Sequence, residues 1–516
     1  MSARAPGAAG ARAAAVTVPR ARAATALRVS LTLLTAPLTP LGALDLTAQE
    51  LPHPTAMELP DPASPRPDPD GLRVTLPGGL TAYVVPDPTV PLVTVAAFVD
   101  VGWADGAPGA AHALAAILRR RGPADLGSDA FQASLRRMAA DWRVLLGPEE
   151  LEVTIDVPAA DAPEAIRLLG ETLTRPDLAS ADVVALARGA ARPSPSAAAS
   201  GESGPVLYEG SLDAAVAMFQ EHLLEGHRYA PSITPAEAEA LEVAKVEELH
   251  RSFVRTGNVV LAVSGDIDRA EAVDLVRGAF ADLPTGAAPE RPAAEALPPL
   301  EARVAHIQDV DKLQGWVVMG HALDPVPLED EAALLVMNYI LGGGHFDTRL
   351  FGEVRDKRGL ANTAGGFPEW RRHGPGSYTL RTYGRPETIP LLVQILQDEA
   401  VRIRSEPVSD EEVAVAKGAL ADGEFAMGFH DGAATARTFA REWLHEGGHE
   451  ASATFQARVA AVTAAHVQDV ATRYLHPDGF RMVVIGPLAR IRDHTPLEGE
   501  PPLDAFGRVV EGPGGG

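Results

Sequence analysis

Residues 445–449 read His445-Glu446-Gly447-Gly448-His449. Two imidazoles four residues apart on a helix face the same way and can share a zinc ion. A glutamate between them can take a proton from a zinc-bound water. That chemistry needs a continuous helix. Gly447 and Gly448 together cost about 2 kcal/mol inside a helix relative to alanine, and paired glycines are a common way to end one. "ATARTFAREWLHE" reads as one helix and "EASATFQARVAAV" as the next, with the glycines as the break. No third ligand follows at a short fixed spacing. The five-residue pattern is expected to be a coincidence at a helix end.

Three other stretches carry chemistry-capable residues. Leu341–Gly344, "LGGG", could cradle a phosphate, but it closes a helix, and the negative end of the helix dipole repels an anion. His430–Phe439 reads as a helix N-cap region. Arg381 and Tyr383, in "TLRTYG", stand at i and i+2 of a strand and so share one face. A guanidinium and a phenol there are good hydrogen-bond donors to a developing oxyanion. The plainer reading is a local salt bridge and packing.

The elements that must position these residues come from a chain of 516 residues, long enough for two cores. Hydrophobic content of 46% and charged content of 22% suit a globular protein. A net charge of −24 makes nucleic acid and anionic membrane poor partners. Cysteine is absent, which excludes disulfides, thiol nucleophiles and thiolate-bound metal. Residues 1–28 hold five arginines and no acid, and Val29–Leu44 is apolar. With small residues around Ala48, this is the layout of a signal peptide over 1–48. A mitochondrial presequence shares the arginines, but it would be amphipathic. Residues 49–70 read as a stiff Pro-rich linker.

Beyond it, β-rich runs flank "PGG" in Gly71–Gly102, helical periodicity covers 110–121 and 130–140, and Glu150–Pro158 alternates as a strand. A helix starts near Asp161, two more run to about Phe253, and a buried strand lies in Asn258–Asp268. After the Pro/Ala-rich stretch 284–299 the order repeats, closing on the strand Phe480–Leu488. "FVRTGNVVLAVSGDI" and "YLHPDGFRMVVIGPL" share one form: aromatic, turn, buried strand, glycine. The expectation is an α+β fold of two homologous units, each a mainly antiparallel sheet with helices packed on one side. The units span 71–287 and 301–495, joined by a linker at 288–300, with a tail at 496–516.

Asp311–Gly366, with its Gly-rich turn, Thr348-Arg349-Leu350 and Arg355-Asp356-Lys357-Arg358-Gly359-Leu360, resembles the C-terminal unit of the insulinase/pitrilysin family of inverted-motif zinc peptidases. That family includes the mitochondrial processing peptidase subunits. "TLPGGLTAYVV", "GAAHALAAIL" and the stretch from His227 to Asp268 extend the likeness over about 71–490. The family carries H-x-x-E-H on a helix of its first unit and a distal glutamate further on. Here His112 is followed by Ala115 and Ala116, where the base and second ligand would stand. Val183–Pro195 holds no acid where the distal ligand would fall. The resemblance therefore implies a chain with no catalytic and no metal residues of its own. It implies a non-catalytic subunit of a zinc metallopeptidase, paired with a homologous chain that holds the zinc; the signal-peptide layout adds export, to the periplasm or another extracytoplasmic space. It also implies that Arg381 and Tyr383 are the substrate-binding residues and that peptides or unfolded proteins are the substrates. The alternative is an independent peptide-binding or scaffold protein with no peptidase partner.

Overall fold

A computed structural model describes residues 66–179, 182–192, 209–292, 295, 297, 304–344 and 346–511. The expected signal peptide, most of the 49–70 linker and the last five residues lie outside them.

The chain folds as two six-stranded sheets of matching design. The first contains β1 (Arg73–Thr75), β2 (Thr81–Pro86), β3 (Leu92–Val99), β4 (Asp141–Leu146), β5 (Leu151–Pro158) and β6 (Val259–Gly265). The second contains β7 (Val304–Asp309), β8 (Gly315–Leu323), β9 (Ala364–Glu369), β10 (Gly376–Gly384), β11 (Arg481–Gly486) and β12 (Arg508–Glu511). Their orders, β1-β2-β6-β3-β5-β4 and β12-β7-β11-β8-β10-β9, correspond position by position from the second strand inward. The two motif-sharing segments supply β6 and β11, the equivalent inner strands. The parallel pairings β2/β6 and β7/β11 are equivalent too; the other pairings are antiparallel except β12/β7.

The duplication breaks at one edge. In the first sheet the outer strand β1 precedes its neighbour and runs antiparallel to it. In the second that place is filled by β12, which arrives after β11 and runs parallel to β7. Residues 508–511, within the stretch read as a tail, therefore complete the second sheet. Their short run "RVVE" is too brief to signal a strand alone and is fixed by the ladder it joins.

One face of each sheet packs on helices of its own half. Val95, Val153, Leu261 and Val263 meet Leu114, Ile117, Ile166 and Leu169. Val317, Leu380 and Val484 meet Val336, Leu392 and Leu396. The other faces are also covered, each by a helix from the opposite half. The Gly432–Glu446 helix lays Ala436, Phe439 and Ala440 on Tyr83, Phe98 and Val260 of the first sheet. The Leu212–Leu223 helix lays Met218, Phe219 and Leu223 on Val318, Val483 and Ile485 of the second. The inner strands are accordingly apolar without alternation: every residue of β6 is buried.

Candidate functional site

The helix that would carry a zinc motif is Ala110–Arg120. It starts from Gly109 at φ 81°, a left-handed conformation suited to glycine. Its Ala113, Leu114, Ile117 and Leu118 are buried in the first core. The Val183–Arg188 helix, from the stretch where the distal ligand would fall, packs beside it, with Ala187 facing Gly109. That helix brings no carboxylate. Ala115 is 3% exposed, its methyl part of the core. His112 Nε2 lies 3.2 Å from the Pro231 carbonyl oxygen, and its ring stacks on Trp103 at 6.1 Å. Burial lowers its pKa, which favours the neutral imidazole. One imidazole, turned to a carbonyl and flanked by alanines, does not fit a zinc ion. Among the described residues no group of three or more His, Asp or Glu is placed to hold a metal. Beside the helix a cavity of about 270 Å³ is lined by Trp103, His112, Glu221, Glu225, Arg228 and Glu237.

The two histidines of the HEGGH stretch look in different directions. The Gly432–Glu446 helix ends at Gly447, φ 66°, whose N–H donates to Trp443 O at 2.9 Å, and the next helix starts at Glu450. His445 Nε2 is 2.9 Å from Glu150 Oε2. His449 sits beyond the break, with Nε2 2.7 Å from the Tyr83 hydroxyl and Nδ1 3.1 Å from Glu442 Oε2. Both thus reach from the second half to first-half residues, and neither shares a ligand point with the other.

They belong to a longer polar seam between the halves. Arg441 pairs with Glu150 at 3.0 Å and Glu152 at 2.6 Å, and Arg437 with Glu152 at 2.5 Å. The turn between β9 and β10 closes the seam. Arg372 pairs with Asp100 at 2.6 Å, and the backbone N–H groups of Arg372 and His373 donate to Glu149. Tyr229 donates its hydroxyl to the same carboxylate at 2.8 Å. Arg291, from the Pro/Ala-rich linker, donates to Asp100, Asp105 and the Glu149 carbonyl. Burial pushes the carboxyls of Asp100, Glu149 and Glu150 up, but their partners win and hold all three below the ordinary range. The sequence reading missed this seam. Its one signal was the pairing of acids at Glu149, Glu150 and Glu152 with arginines at 371, 372, 437 and 441, which a linear reading assigns to solvent.

Arg381 and Tyr383 share a face of β10, as expected. Their partners across the ladder are Val318 and Trp316, so they point to the side covered by the Leu212–Leu223 helix and away from Leu380 in the core. Both are half-buried. Arg381 Nη2 pairs with Glu369 at 2.7 Å, its Nε donates to Thr379 Oγ1 at 2.8 Å, and its guanidinium lies 4.4 Å over the Phe367 ring. The outermost strand beyond them, β9, is hydrogen-bonded to β10 alone. The glycines of Leu341–Gly344 pack on it: a Cβ at Gly342 would lie 2.6 Å from the Gly366 nitrogen. Small size, not anion binding, is what that turn requires. His430–Phe439 does contain a cap, with Asp431 accepting from Ala434 N at 2.7 Å.

The described chain is thus two like units, and in the first His112, Ala115 and Ala116 form no zinc set. Known proteins resemble it as follows. Residues 240–420 match the family model described as "Peptidase M16 inactive domain". An uncharacterized zinc protease of Streptomyces coelicolor is 28% identical over 444 residues, covering 81% of this chain and 89% of the relative. One from Mycobacterium tuberculosis is 26% identical, covering 80% and 93%. A solved peptidase M16 inactive domain from Pseudomonas fluorescens shares the fold with a TM-score of 0.64 at 22% identity, covering 80% of this chain and 98% of that one. A protease from Helicobacter pylori matches with a TM-score of 0.64 at 18% identity, covering 80% and 99%. The resemblance to the insulinase-like M16 peptidases and the duplicated α+β fold are both borne out.

Proposed function

We propose that this chain is the non-catalytic subunit of an exported zinc metallopeptidase, paired with a homologous chain that holds the zinc. One observation carries the reading. The Ala110–Arg120 helix has the Val183–Arg188 helix packed beside it, yet Ala115 and Ala116 stand where the resemblance puts base and ligand. Alanine can neither bind zinc nor move a proton, so hydrolysis needs a second chain. The signal-peptide layout of residues 1–48 supports export to the periplasm or another extracytoplasmic space. Among the described residues no helix is long and apolar enough to cross a membrane.

In this reading the substrate is an extended peptide or unfolded protein adding to a sheet edge. β4 and β9 are the strands at the matching ends of the two sheets, each paired on one side only. Arg381 and Tyr383 supply contacts next to β9. The second reading, a peptide-binding or scaffold protein without a peptidase partner, draws on Arg381 itself. Its guanidinium is already engaged by Glu369, Thr379 and Phe367, an arrangement suited to shaping a surface.

The test is affinity purification of the full chain from cells that also express a homologue carrying intact H-x-x-E-H. Stoichiometric recovery of that homologue supports the pair. Recovery of this chain alone, with the homologue abundant in the same cells, supports the scaffold reading.

A further inference from the structure

Where the Leu212–Leu223 helix of the first half crosses the second sheet, two imidazoles lie face to face. His222 on that helix and His306 on β7 have ring centroids 3.6 Å apart and planes 24° apart. His306 stands opposite Val483 in the ladder, on the face that the helix covers, while its neighbours Ala305 and Ile307 point into the core. Besides each other, the two rings have three charged neighbours that act on them. Each ring faces the other. Arg481, at the start of β11, donates to the His222 carbonyl at 2.5 Å. Arg508 of β12 adds a second cation beside His306. Glu225, just past the helix, is the acid that acts on His306 among the described residues.

We propose that the His222–His306 stack is a proton-driven release, freeing the Leu212–Leu223 helix from the second sheet and loosening the joint between the halves in acid. Two stacked imidazoles repel once both are charged, and burial beside Arg481 disfavours a charge on either. A charge on either would be buried within 4 Å of a second ring and beside Arg481. Freed from the sheet, both rings reach water and titrate normally, near 6.5. Docked, burial is the main cause of a fall to about 3 for His222 and about 4 for His306, and the neighbouring cations add to it. A depressed histidine contributes its stabilisation in full above the free value and loses it as pH falls. Between 6.5 and about 4 each released ring takes up a proton, so undocking gains up to about tenfold per pH unit per histidine. The helix joins the two halves, so its release acts on their closure. This stands whether or not a partner chain exists.

The experiment is hydrogen exchange on the full chain at pH 7.5 and 5.5, read as protection factors for amides of 212–223 against those of the Ala162–Thr174 helix in the first core. The expected result is a relative loss of protection on the order of 100-fold for the native chain. His222→Phe and His306→Phe, which keep a ring in the stack, should each cut the loss to about tenfold. Equal protection at both pH values would overturn the proposal. So would an undiminished loss in both single variants, which would place the acid response elsewhere. Each single variant is informative alone, should the other fail to fold.

Discussion

Arg291 lies within 2.8 Å of Asp105 with only 7% of its side chain and 4% of the aspartate's exposed. The arginine comes from a Pro/Ala-rich connection between the halves, and the aspartate from the turn that leads into the Ala110–Arg120 helix. The connection is thus pinned to the first half by a buried ion pair, which Asp100 extends at 2.6 Å. Asp105 is further held by the Gly102 N–H at 2.9 Å.

Removing that cation leaves the buried Asp105 carboxylate without its ion partner, while Asp100 keeps Arg372 at 2.6 Å. Arg291→Ala should destabilise the chain by about 3–5 kcal/mol, the usual cost of breaking a buried pair from one side. Urea denaturation of native and variant chains measures it. A loss under about 1 kcal/mol would mean that water reaches the pair.

The carboxyl of Glu150, held below its ordinary 4.5 by His445 and Arg441 against the effect of burial, predicts an acid-side slope. A depressed carboxylate contributes stability above its unfolded value and loses it as pH falls below. Native stability should therefore drop as pH falls from 4.5, and Glu150→Gln should flatten that drop while lowering stability at pH 7. Thermal melts across pH 3 to 7 decide; parallel curves for the two chains would remove Glu150 from the linkage.

Gly447 and Gly448 separate a helix end from a metal helix. At φ 66°, Gly447→Ala should cost about 1–2 kcal/mol, the penalty of a Cβ in the left-handed region. Gly448→Ala, in open space, should change stability by less than about 0.5 kcal/mol. In a continuous helix both changes would stabilise by about 1 kcal/mol. Stabilisation by both would restore the metal reading.

Restoring the inverted motif should fail. In Ala115→Glu with Ala116→His, the glutamate enters a position 3% exposed, so the double variant should be less stable than the native chain. Without a distal carboxylate it should bind zinc weakly and turn over no peptide. Elemental analysis and a peptidase assay check both; robust turnover would reveal a third ligand.

Under the proposed pairing, Arg381 and Tyr383 are tested in the reconstituted pair. Arg381→Ala or Tyr383→Phe should leave assembly intact and lower turnover on the order of 100-fold if either donates to the oxyanion. The loss should fall on kcat more than on KM. Because Arg381 also holds Glu369, Glu369→Gln is the control: it breaks the pair but keeps the guanidinium. Unchanged turnover in both single variants would return these residues to strand surface.

Much of the fold was legible because its signals are local. The alternation in "LEVTIDVP", the periodicity of "AAHALAAIL" and the shared form of β6 and β11 depend on few distant contacts. β4 and β9 were missed for the opposite reason. "DWRVLL" and "AGGFPE" are edge strands with weak apolar patterns, fixed by the neighbour each pairs with. The cross-covering helices were also out of reach: helices were expected on one side of each sheet, whereas the apolar runs "VVLAV" and "MVVI" lie in sheets covered on both faces. At the site, the alanines at 115 and 116, where the resemblance puts base and second ligand, are read from the sequence itself. The engagement of Arg381 by Glu369 spans 12 residues and two strands, and spacing alone does not show it.

The central claim, that this chain completes a peptidase it cannot be alone, is tested most directly by reconstitution. Turnover of an unstructured peptide is measured for the zinc-bearing homologue alone, for this chain alone, and for the two mixed at equal concentration. The account predicts no turnover from this chain, little from the homologue, and a rise of at least tenfold in the mixture that saturates at one-to-one. Full activity from the homologue alone, unchanged when this chain is added, would contradict it.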